Sequence, residues 1–266
     1  MSAQSRNNIQ IFGAGPSAIV FAHGFGCDQN MWRYLTPSFK DRFTIVLFDL
    51  VGSGKSDLSA YDFKKYESLH GYAQDLLEII NEVTDQPVIF IGHSVSATIG
   101  LLASVNSPEK FKCQIMVGPS PCYVNDGDYV GGFSRADVEE LCDTIDSNYL
   151  GWSSSIAPAI MGAPDQPELG IELTNSFCRT DPEIAKHFAR VTFLSDHRDA
   201  LSKSNTPTLI LQCSDDFIAP LTVGQYMQAK MPDAELCIIE NVGHCPHLSS
   251  PEASTQAIEN YLKSYS

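Results

Sequence analysis

An α/β fold built around a mostly parallel sheet is the fold class that this sequence predicts. Short runs rich in β-branched residues alternate with amphipathic stretches, which is typical of strand–helix–strand units. Between the second and third of these runs, apolar residues recur at helical spacing from Tyr72 to Val83, so a crossover helix is expected there. The strands are predicted at Ala18–Ala22, Thr44–Asp49, Val88–Ile91, Cys113–Val117, Thr208–Gln212 and Leu236–Glu240.

The regular alternation stops between about residues 125 and 199, where helical patterns, glycines and prolines occur without a convincing strand. We interpret this region as an inserted helical cap. No linker-like or low-complexity tract separates it from the rest of the sequence. Residues 1–266 are therefore expected to form one domain, which is long enough to bury a sizeable core.

The composition is that of an ordinary globular protein, with 43% hydrophobic and 18% charged residues. The formal net charge of -15 repels phosphate backbones and anionic lipids, so neither nucleic acid nor a membrane is expected as a partner. The start of the sequence lacks the apolar run of a secretory signal, and no stretch reaches the ~18 to 20 apolar residues of a membrane span. These features predict a cytoplasmic protein.

The eight cysteines are scattered and form no C-x-x-C pair. In a chain of this length without a secretory signal, they are expected to be reduced thiols that behave as small buried apolar residues. Their spacing gives no support for a metal site.

Ser94 lies where an apolar strand runs straight into small residues and then a second apolar stretch. The run Gly92-His93-Ser94-Val95-Ser96 matches the nucleophile elbow G-x-S-x-G except at Ser96. A serine hydroxyl is a weak nucleophile, and a sharp turn lets it reach both a base and a substrate carbonyl. The alternative is that Ser94 is only the N-cap of a helix.

A second motif, His23-Gly24-Phe25-Gly26, follows the first predicted central strand. Where a serine follows such an elbow, a loop of this kind can supply one backbone N–H to an oxyanion hole, and the residue after the nucleophile can supply the other. The backbone N–H groups of Phe25 and Val95 are therefore the predicted oxyanion donors. His23 itself is expected to have a structural role.

Carboxylates and histidines follow the last two predicted strands. Asp215 and Asp216 come after one strand, and either could orient a histidine. His244 and His247 come after the other, and His244, which follows a glycine, is the preferred base. Ser94, His244 and one of the two carboxylates would together perform acyl transfer, which requires no cofactor and no metal ion.

The run Gly52–Ser56 is superficially similar to a phosphate-binding loop. The Walker pattern would require a glycine at position 49, where the sequence has Asp49. We interpret this run as a turn that closes a loop, not as a nucleotide site.

With these motifs in view, the sequence resembles the α/β-hydrolase subfamily that contains the bacterial stress regulator RsbQ and the plant karrikin and strigolactone receptors. Residues 118–123 and 212–216 are most similar to RsbQ, whereas Ser94-Val95-Ser96 is similar to the receptors. The resemblance extends nearly end to end and rests on residues 23–29, 49–54, 92–97, 128–133 and 243–248.

The resemblance implies the α/β-hydrolase fold with a four-helix, V-shaped lid, which would be the insertion at about residues 125–199. It also selects Asp216 over Asp215, so that Ser94, Asp216 and His244 form the catalytic triad in the chain order of this fold. The lid would cover an apolar pocket. The family's pocket positions correspond to Phe25, Tyr123, Phe133, Trp152 and Phe193.

The leading hypothesis is a serine hydrolase that cleaves a small, largely apolar ester, lactone or butenolide-like compound through an acyl-enzyme. By resemblance to RsbQ, it would act in stress signalling with a PAS-domain phosphatase as protein partner. The rival hypothesis is a ligand-responsive receptor that hydrolyses slowly and acts by docking a partner. Because both behaviours occur in the subfamily, the triad alone does not distinguish them.

Overall fold

A computed structural model describes residues 1–265, and its centre is a seven-stranded sheet. The strands lie in the order β1-β3-β2-β4-β5-β6-β7, and every neighbouring pair is parallel except β1 with β3. The predicted mostly parallel α/β fold is thereby confirmed. The strand bounds are β1 Gln10–Gly13, β2 Ala18–Ala22, β3 Thr44–Phe48, β4 Val88–His93, β5 Phe111–Val117, β6 Thr208–Asp215 and β7 Ala234–Val242.

Strand β2 has its predicted bounds, and β3, β4, β5 and β7 differ by one or two residues at an end or at both. Two larger differences have physical reasons. The sequence analysis did not find β1, because all four of its residues are exposed at the antiparallel edge and lack a buried apolar pattern. Strand β6 continues past Gln212 to Asp215, because the sheet partner β7 supports it across a register shift between Cys213 and Asp215. This extension places the following residue, Asp216, directly beyond the sheet edge.

The helices cover both faces of the sheet, since β2 and β4 are buried along their whole length. On β4, Ile89 and Ile91 join one core cluster while Val88 and Phe90 join the other. No helix in residues 1–265 combines the length and apolar character that a membrane span requires. The helix bounds are α1 Ala3–Arg6, α2 Thr36–Phe39, α3 Leu69–Val83, α4 Val95–Asn106, α5 Arg135–Met161, α6 Pro167–Arg179, α7 Pro182–Phe193, α8 Arg198–Leu201, α9 Leu221–Lys230, α10 Pro246–Ser249 and α11 Pro251–Leu262.

Helices α5, α6 and α7 lie between β5 and β6 in the chain. A capping box between Ser134 and Asp137 starts α5, and Gly162 ends it with a φ of 64°. At Asn148 the backbone leaves the helical region, with φ -152° and ψ 69°, so α5 consists of two segments that meet at a kink. The region therefore holds four helical segments: the two halves of α5, then α6 and α7.

Candidate active site

Ser94 lies at the turn between β4 and α4, with φ 56° and ψ -122°. Non-glycine residues rarely adopt this backbone region, and such strain persists only where the surroundings fix it. Here the Ser94 N–H donates to the Val117 carbonyl at 2.8 Å. Gly92 is required because a Cβ there would lie 2.7 Å from the carbonyl group of Ser96. The sharp turn presents the Ser94 hydroxyl at the carboxyl edge of the sheet.

The departure from the elbow motif at Ser96 has a structural function of its own. The Ser96 Oγ donates a hydrogen bond to the His23 carbonyl oxygen at 2.5 Å, and Ser96 is fully buried. A buried carbonyl without a partner would be destabilising, so the hydroxymethyl group satisfies an acceptor that glycine would leave unpaired. The bond also joins helix α4 to the loop that carries Phe25.

The structure brings Ser94, His244 and Asp216 together in one hydrogen-bonded chain. His244 Nε2 lies 2.8 Å from Ser94 Oγ, and His244 Nδ1 lies 2.6 Å from Asp216 Oδ2. All three residues are buried. Asp215, by contrast, is exposed at the end of β6, and His244 contacts the other carboxylate.

The Asp216 carboxylate is fixed by the backbone that follows it. Its Oδ1 accepts hydrogen bonds from the N–H groups of Ile218 at 2.8 Å and Ala219 at 3.1 Å, which leaves Oδ2 for the imidazole. An acceptor at Nδ1 selects the tautomer of His244 that carries its proton there, so that Nε2 can accept the Ser94 proton.

The backbone N–H groups of Phe25 and Val95 are free to donate: within residues 1–265, neither has a hydrogen-bond partner. Gly24 lets the Phe25 loop approach the nucleophile, since a Cβ at Gly24 would lie 2.4 Å from His93 Nδ1 and 3.4 Å from Ser94 Cβ. Two unpaired donors on adjacent loops beside the serine are the arrangement that an oxyanion hole needs.

His23 fixes the position of the loop that carries Phe25. Its Nδ1 donates to the Gly24 carbonyl at 2.9 Å, and its Nε2 accepts from the Leu50 N–H at 3.0 Å. Nδ1 thus bonds within the loop and Nε2 joins it to the loop after β3, and neither ring nitrogen bonds Ser94.

His93 and His247 pack behind His244. His93 Nε2 donates to the His244 carbonyl at 2.8 Å. The His247 ring packs 4.5 Å from the His93 ring and 4.7 Å from Trp32, measured between centroids. Burial lowers the pKa of His93 well below its usual value and that of His247 to about 3, so both rings stay neutral.

An apolar cavity of about 30 Å³ lies beside Ser94 and His244. Of the pocket residues predicted from sequence, the structure places Phe25, Tyr123, Trp152 and Phe193 in its wall. Phe133 is half-buried and does not line this cavity; its N–H donates to the Tyr123 carbonyl at 3.1 Å. The complete wall is Phe25, Cys27, His93, Ser94, Tyr123, Trp152, Ile160, Leu173, Phe177, Thr192, Phe193, Ile218, His244 and Cys245.

Several wall residues on α6 and α7 were missed by the sequence analysis. The Phe177 ring stacks on Trp152 with centroids 5.7 Å apart and planes 5° from parallel. Leu169, Leu173 and Phe177 recur every four residues on α6, so this apolar stripe was a signal that could have found them. Thr192 on α7 had no such signal, and its buried hydroxyl has no hydrogen-bond partner within residues 1–265.

Residues 19–257 match the profile of the alpha/beta hydrolase family. The chain belongs to this family. A karrikin insensitive 2 receptor of Petunia hybrida is 36% identical over 94% of this chain and 93% of the receptor. A strigolactone esterase of Arabidopsis thaliana is 34% identical over 96% of each protein. The solved structure of a hydrolase from Oleispira antarctica is 45% identical, with a TM-score of 0.95 over 98% of this chain and 96% of that one.

In residues 1–265 of this hydrolase, one group of side chains could bring three metal ligands together. His93, Cys245 and His247 place one ligand atom each within 4.8 Å of the others. Metal ligation requires the thiolate form of cysteine, but burial raises the pKa of the Cys245 thiol well above its usual value. Because the Cys245 thiol therefore stays protonated, this donor set is a poor fit for an ion.

The Gly52–Ser56 loop closes around a carboxylate, in agreement with its interpretation as a turn. Asp49 accepts from the Lys55 N–H at 2.9 Å, and the Gly52 N–H donates to Ser56 Oγ at 3.0 Å. A Cβ at Gly54 would lie 2.5 Å from the Asp49 carboxyl carbon. The backbone donors that a phosphate would need are thus already used.

The hydrolase also has a polar cleft of about 640 Å³, much larger than the cavity at Ser94. Arg33, Lys55 and Arg179 line it, whereas Ser94 and His244 do not. Size alone does not identify the reaction site, because the reactive groups and the apolar wall meet only in the smaller cavity.

Proposed function

We propose that this hydrolase cleaves a small, largely apolar ester or lactone through an acyl-enzyme on Ser94. The observation that carries the proposal is the continuous chain from Asp216 Oδ2 through His244 to Ser94 Oγ, with distances of 2.6 and 2.8 Å, at the wall of an apolar cavity. The names of its relatives, which include an esterase and ligand receptors, agree with a small-molecule substrate.

In the proposed cycle, His244 Nε2 takes the proton of Ser94 as Oγ attacks the carbonyl carbon. The negative charge on the carbonyl oxygen is stabilised by the N–H groups of Phe25 and Val95. The intermediate then collapses and the alcohol leaves with the proton from His244. A water molecule, deprotonated by the same imidazole, finally releases the acid from Ser94. Asp216 stabilises the imidazolium in both halves of the cycle.

We further propose that the four helical segments between Arg135 and Phe193 act as a lid on a single hydrolase domain. They contribute Trp152, Phe177 and Phe193 to the cavity wall. At about 30 Å³ the cavity holds roughly one water molecule, so an ester can enter only if these side chains or their helices move. The aromatic lining favours apolar groups because it buries them against rings and offers few hydrogen-bond partners to a polar group.

The test is hydrolysis of p-nitrophenyl acetate by wild type and Ser94→Ala. We expect kcat to fall by at least about 1,000-fold, because the alanine has no nucleophile and only the oxyanion donors remain. Ser154→Ala, on the exposed side of α5, is the matched control and should retain wild-type activity. Equal rates for Ser94→Ala and wild type would refute the proposed function.

The second candidate function is a ligand-responsive receptor with slow turnover, including an RsbQ-like role in stress signalling with a PAS-domain phosphatase. The observation in its favour is the small volume of the cavity, since enlarging it for a ligand must rearrange the lid, on whose surface Leu150 and Ile171 are exposed. Hydrogen exchange of residues 135–193 in Ser94→Ala, with and without a butenolide ester, tests it. Unchanged exchange at saturating ligand would exclude a lid-based signal.

A further inference from the structure

Ser94 Oγ has a second polar neighbour besides the base. The Tyr123 hydroxyl lies 3.5 Å from Ser94 Oγ. It has no other hydrogen-bond partner within residues 1–265, and Tyr123 is only 2% exposed. A buried hydroxyl is normally placed where it can be satisfied, so its isolation beside the reacting oxygen calls for a chemical role.

The direction of this contact follows from the hydrogen bonds of His244. Because Asp216 accepts from Nδ1, the imidazole offers Nε2 as an acceptor, and the Ser94 hydroxyl donates its proton there. The Ser94 oxygen can then only accept from Tyr123. The phenolic proton therefore points at the atom that forms the new bond to the substrate.

Tyr123 is held in this position and keeps its proton. Its carbonyl accepts from the Phe133 N–H at 3.1 Å, and its ring packs 5.0 Å from Phe193. Burial raises the pKa of the Tyr123 phenol to about 12, so it remains a donor throughout the neutral range.

The carbonyl oxygen of the substrate already has two dedicated donors, the N–H groups of Phe25 and Val95. The other substrate oxygen bonded to the reacting carbon is that of the leaving alcohol. We propose that Tyr123 is a further catalytic residue, whose hydroxyl donates a hydrogen bond to the leaving-group oxygen as the ester or lactone bond breaks. This inference rests on the proposed hydrolase function and assigns it a substrate class, esters of poorly acidic alcohols.

The proposed step balances without any added reagent. When the tetrahedral intermediate collapses, the bond between the acyl carbon and the leaving oxygen breaks, and its electron pair stays on that oxygen. The oxygen takes the proton that His244 Nε2 received from Ser94, while Tyr123 keeps its own proton. The products are acyl-Ser94, neutral His244 and the free alcohol, which in a lactone remains attached to the acyl group.

Such a hydrogen bond stabilises charge that develops on the leaving oxygen, so its effect must grow with the basicity of the leaving alcohol. The experiment compares kcat/KM, which reports acylation, for p-nitrophenyl, phenyl, trifluoroethyl and ethyl acetate in wild type and Tyr123→Phe. We expect about a 3-fold loss or less with p-nitrophenyl acetate and about a 100-fold loss with ethyl acetate, as for removal of one catalytic donor.

Tyr129→Phe is the matched control. It also removes a buried phenol, but the Tyr129 hydroxyl donates to the Cys122 carbonyl at 2.6 Å and does not line the cavity. Its dependence on the leaving group should parallel that of wild type. Phenylalanine retains the Tyr123 ring, and the thermal midpoint of each variant shows whether the fold is intact.

A loss of equal size for all four esters, or no loss for any of them, overturns the role of Tyr123 at the leaving group. Either result leaves the proposed function standing, provided that wild-type hydrolysis still depends on Ser94. If Ser94→Ala hydrolyses all four esters as fast as wild type does, the proposed function itself fails. The two failures are therefore distinguishable.

Discussion

The carboxyl edge of the sheet and the helical insertion are held in different ways. At the edge, backbone groups fix the reactive residues: Asp216 accepts two N–H groups and the carbonyl of His244 accepts from His93. A backbone hydrogen bond from the His244 N–H to the Ile160 carbonyl, at 2.8 Å, joins the insertion to this edge, but its other attachments to the core are mainly through side chains. Arg33 forms two 2.7 Å hydrogen bonds with Glu172 on α6, and Ser176 donates to the Gly26 carbonyl.

This difference suits the sheet edge to the acyl-transfer reaction and the insertion to the choice of substrate. Backbone contacts at the ends of strands hold reactive atoms to the precision that acyl transfer needs. Contacts through side chains and stacked rings can rearrange without breaking the sheet, which a cavity of only about 30 Å³ requires if substrate is to enter. Changes at the edge should therefore affect rate, and changes in the insertion should affect which substrate is chosen.

The largest expected effect distinguishes the two neighbouring carboxylates at the edge. Asp216→Asn should lower kcat for p-nitrophenyl acetate by about 10,000-fold, since an amide can select the wrong tautomer of His244. Asp215→Asn is the matched control, because its side chain is exposed, and its kcat should stay within about 2-fold of wild type. The reverse ranking would show that the carboxylate contact at 2.6 Å is not the functional one.

A smaller effect is expected when the insertion is altered. Trp152→Ala removes the ring that stacks on Phe177 and enlarges the cavity, so the ratio of kcat/KM for p-nitrophenyl octanoate over acetate should rise about 10-fold. The truncation should also cost about 3 kcal/mol in the free energy of unfolding. Leu150→Ala, at an exposed position of the same helix, should leave the ratio unchanged. An unaltered ratio in Trp152→Ala would show that Trp152 does not determine which acyl chain the protein accepts.

A further prediction concerns the pH dependence of stability that the buried His247 causes. Burial lowers the pKa of His247 to about 3, whereas an unfolded histidine protonates near 6.5. Between these values the unfolded state binds more protons, so the free energy of unfolding falls as the pH decreases, by about 1.4 kcal/mol per pH unit for each such imidazole. The decline begins below about pH 6.5.

His247→Phe should remove this contribution and flatten the decline, while His93 continues to supply its own. Urea denaturation at pH 7, 6 and 5 measures the slope, and His70→Gln at an exposed position serves as the control. A slope that is the same in His247→Phe and wild type would contradict neutral burial of this ring.

The parts of the fold that sequence predicted are those with strong local signals. Buried runs rich in β-branched residues located β2 to β6, a short apolar run located the mostly unburied β7, and glycines with small residues located the turn at Ser94. Strand β1 was missed because its exposed residues carry no such pattern. The meeting of Ser94, His244 and one of the two carboxylates was expected from their places after separate strands, since parallel strands end at one edge, whereas Asp216 was preferred to Asp215 only by resemblance.

The cavity was harder to predict because its wall depends on how the insertion packs against the edge. Phe133 was expected there by resemblance, but the structure uses its backbone to support Tyr123. Cys27 and Thr192 line the wall although nothing in their immediate sequence distinguishes them from core residues. The function of Ser96 likewise depends on a contact with distant His23, which local spacing does not reveal.

The central claim is that Ser94, His244 and Asp216 act as one unit, and active-site labelling tests it most directly. Wild type, Ser94→Ala and His244→Gln are treated with a fluorophosphonate, and intact mass and peptide mapping report the adduct. We predict one adduct on Ser94 in wild type, none in Ser94→Ala, and labelling at least about 100-fold slower in His244→Gln, where the base is lost. Labelling of another residue, or equal rates in His244→Gln and wild type, would contradict the account.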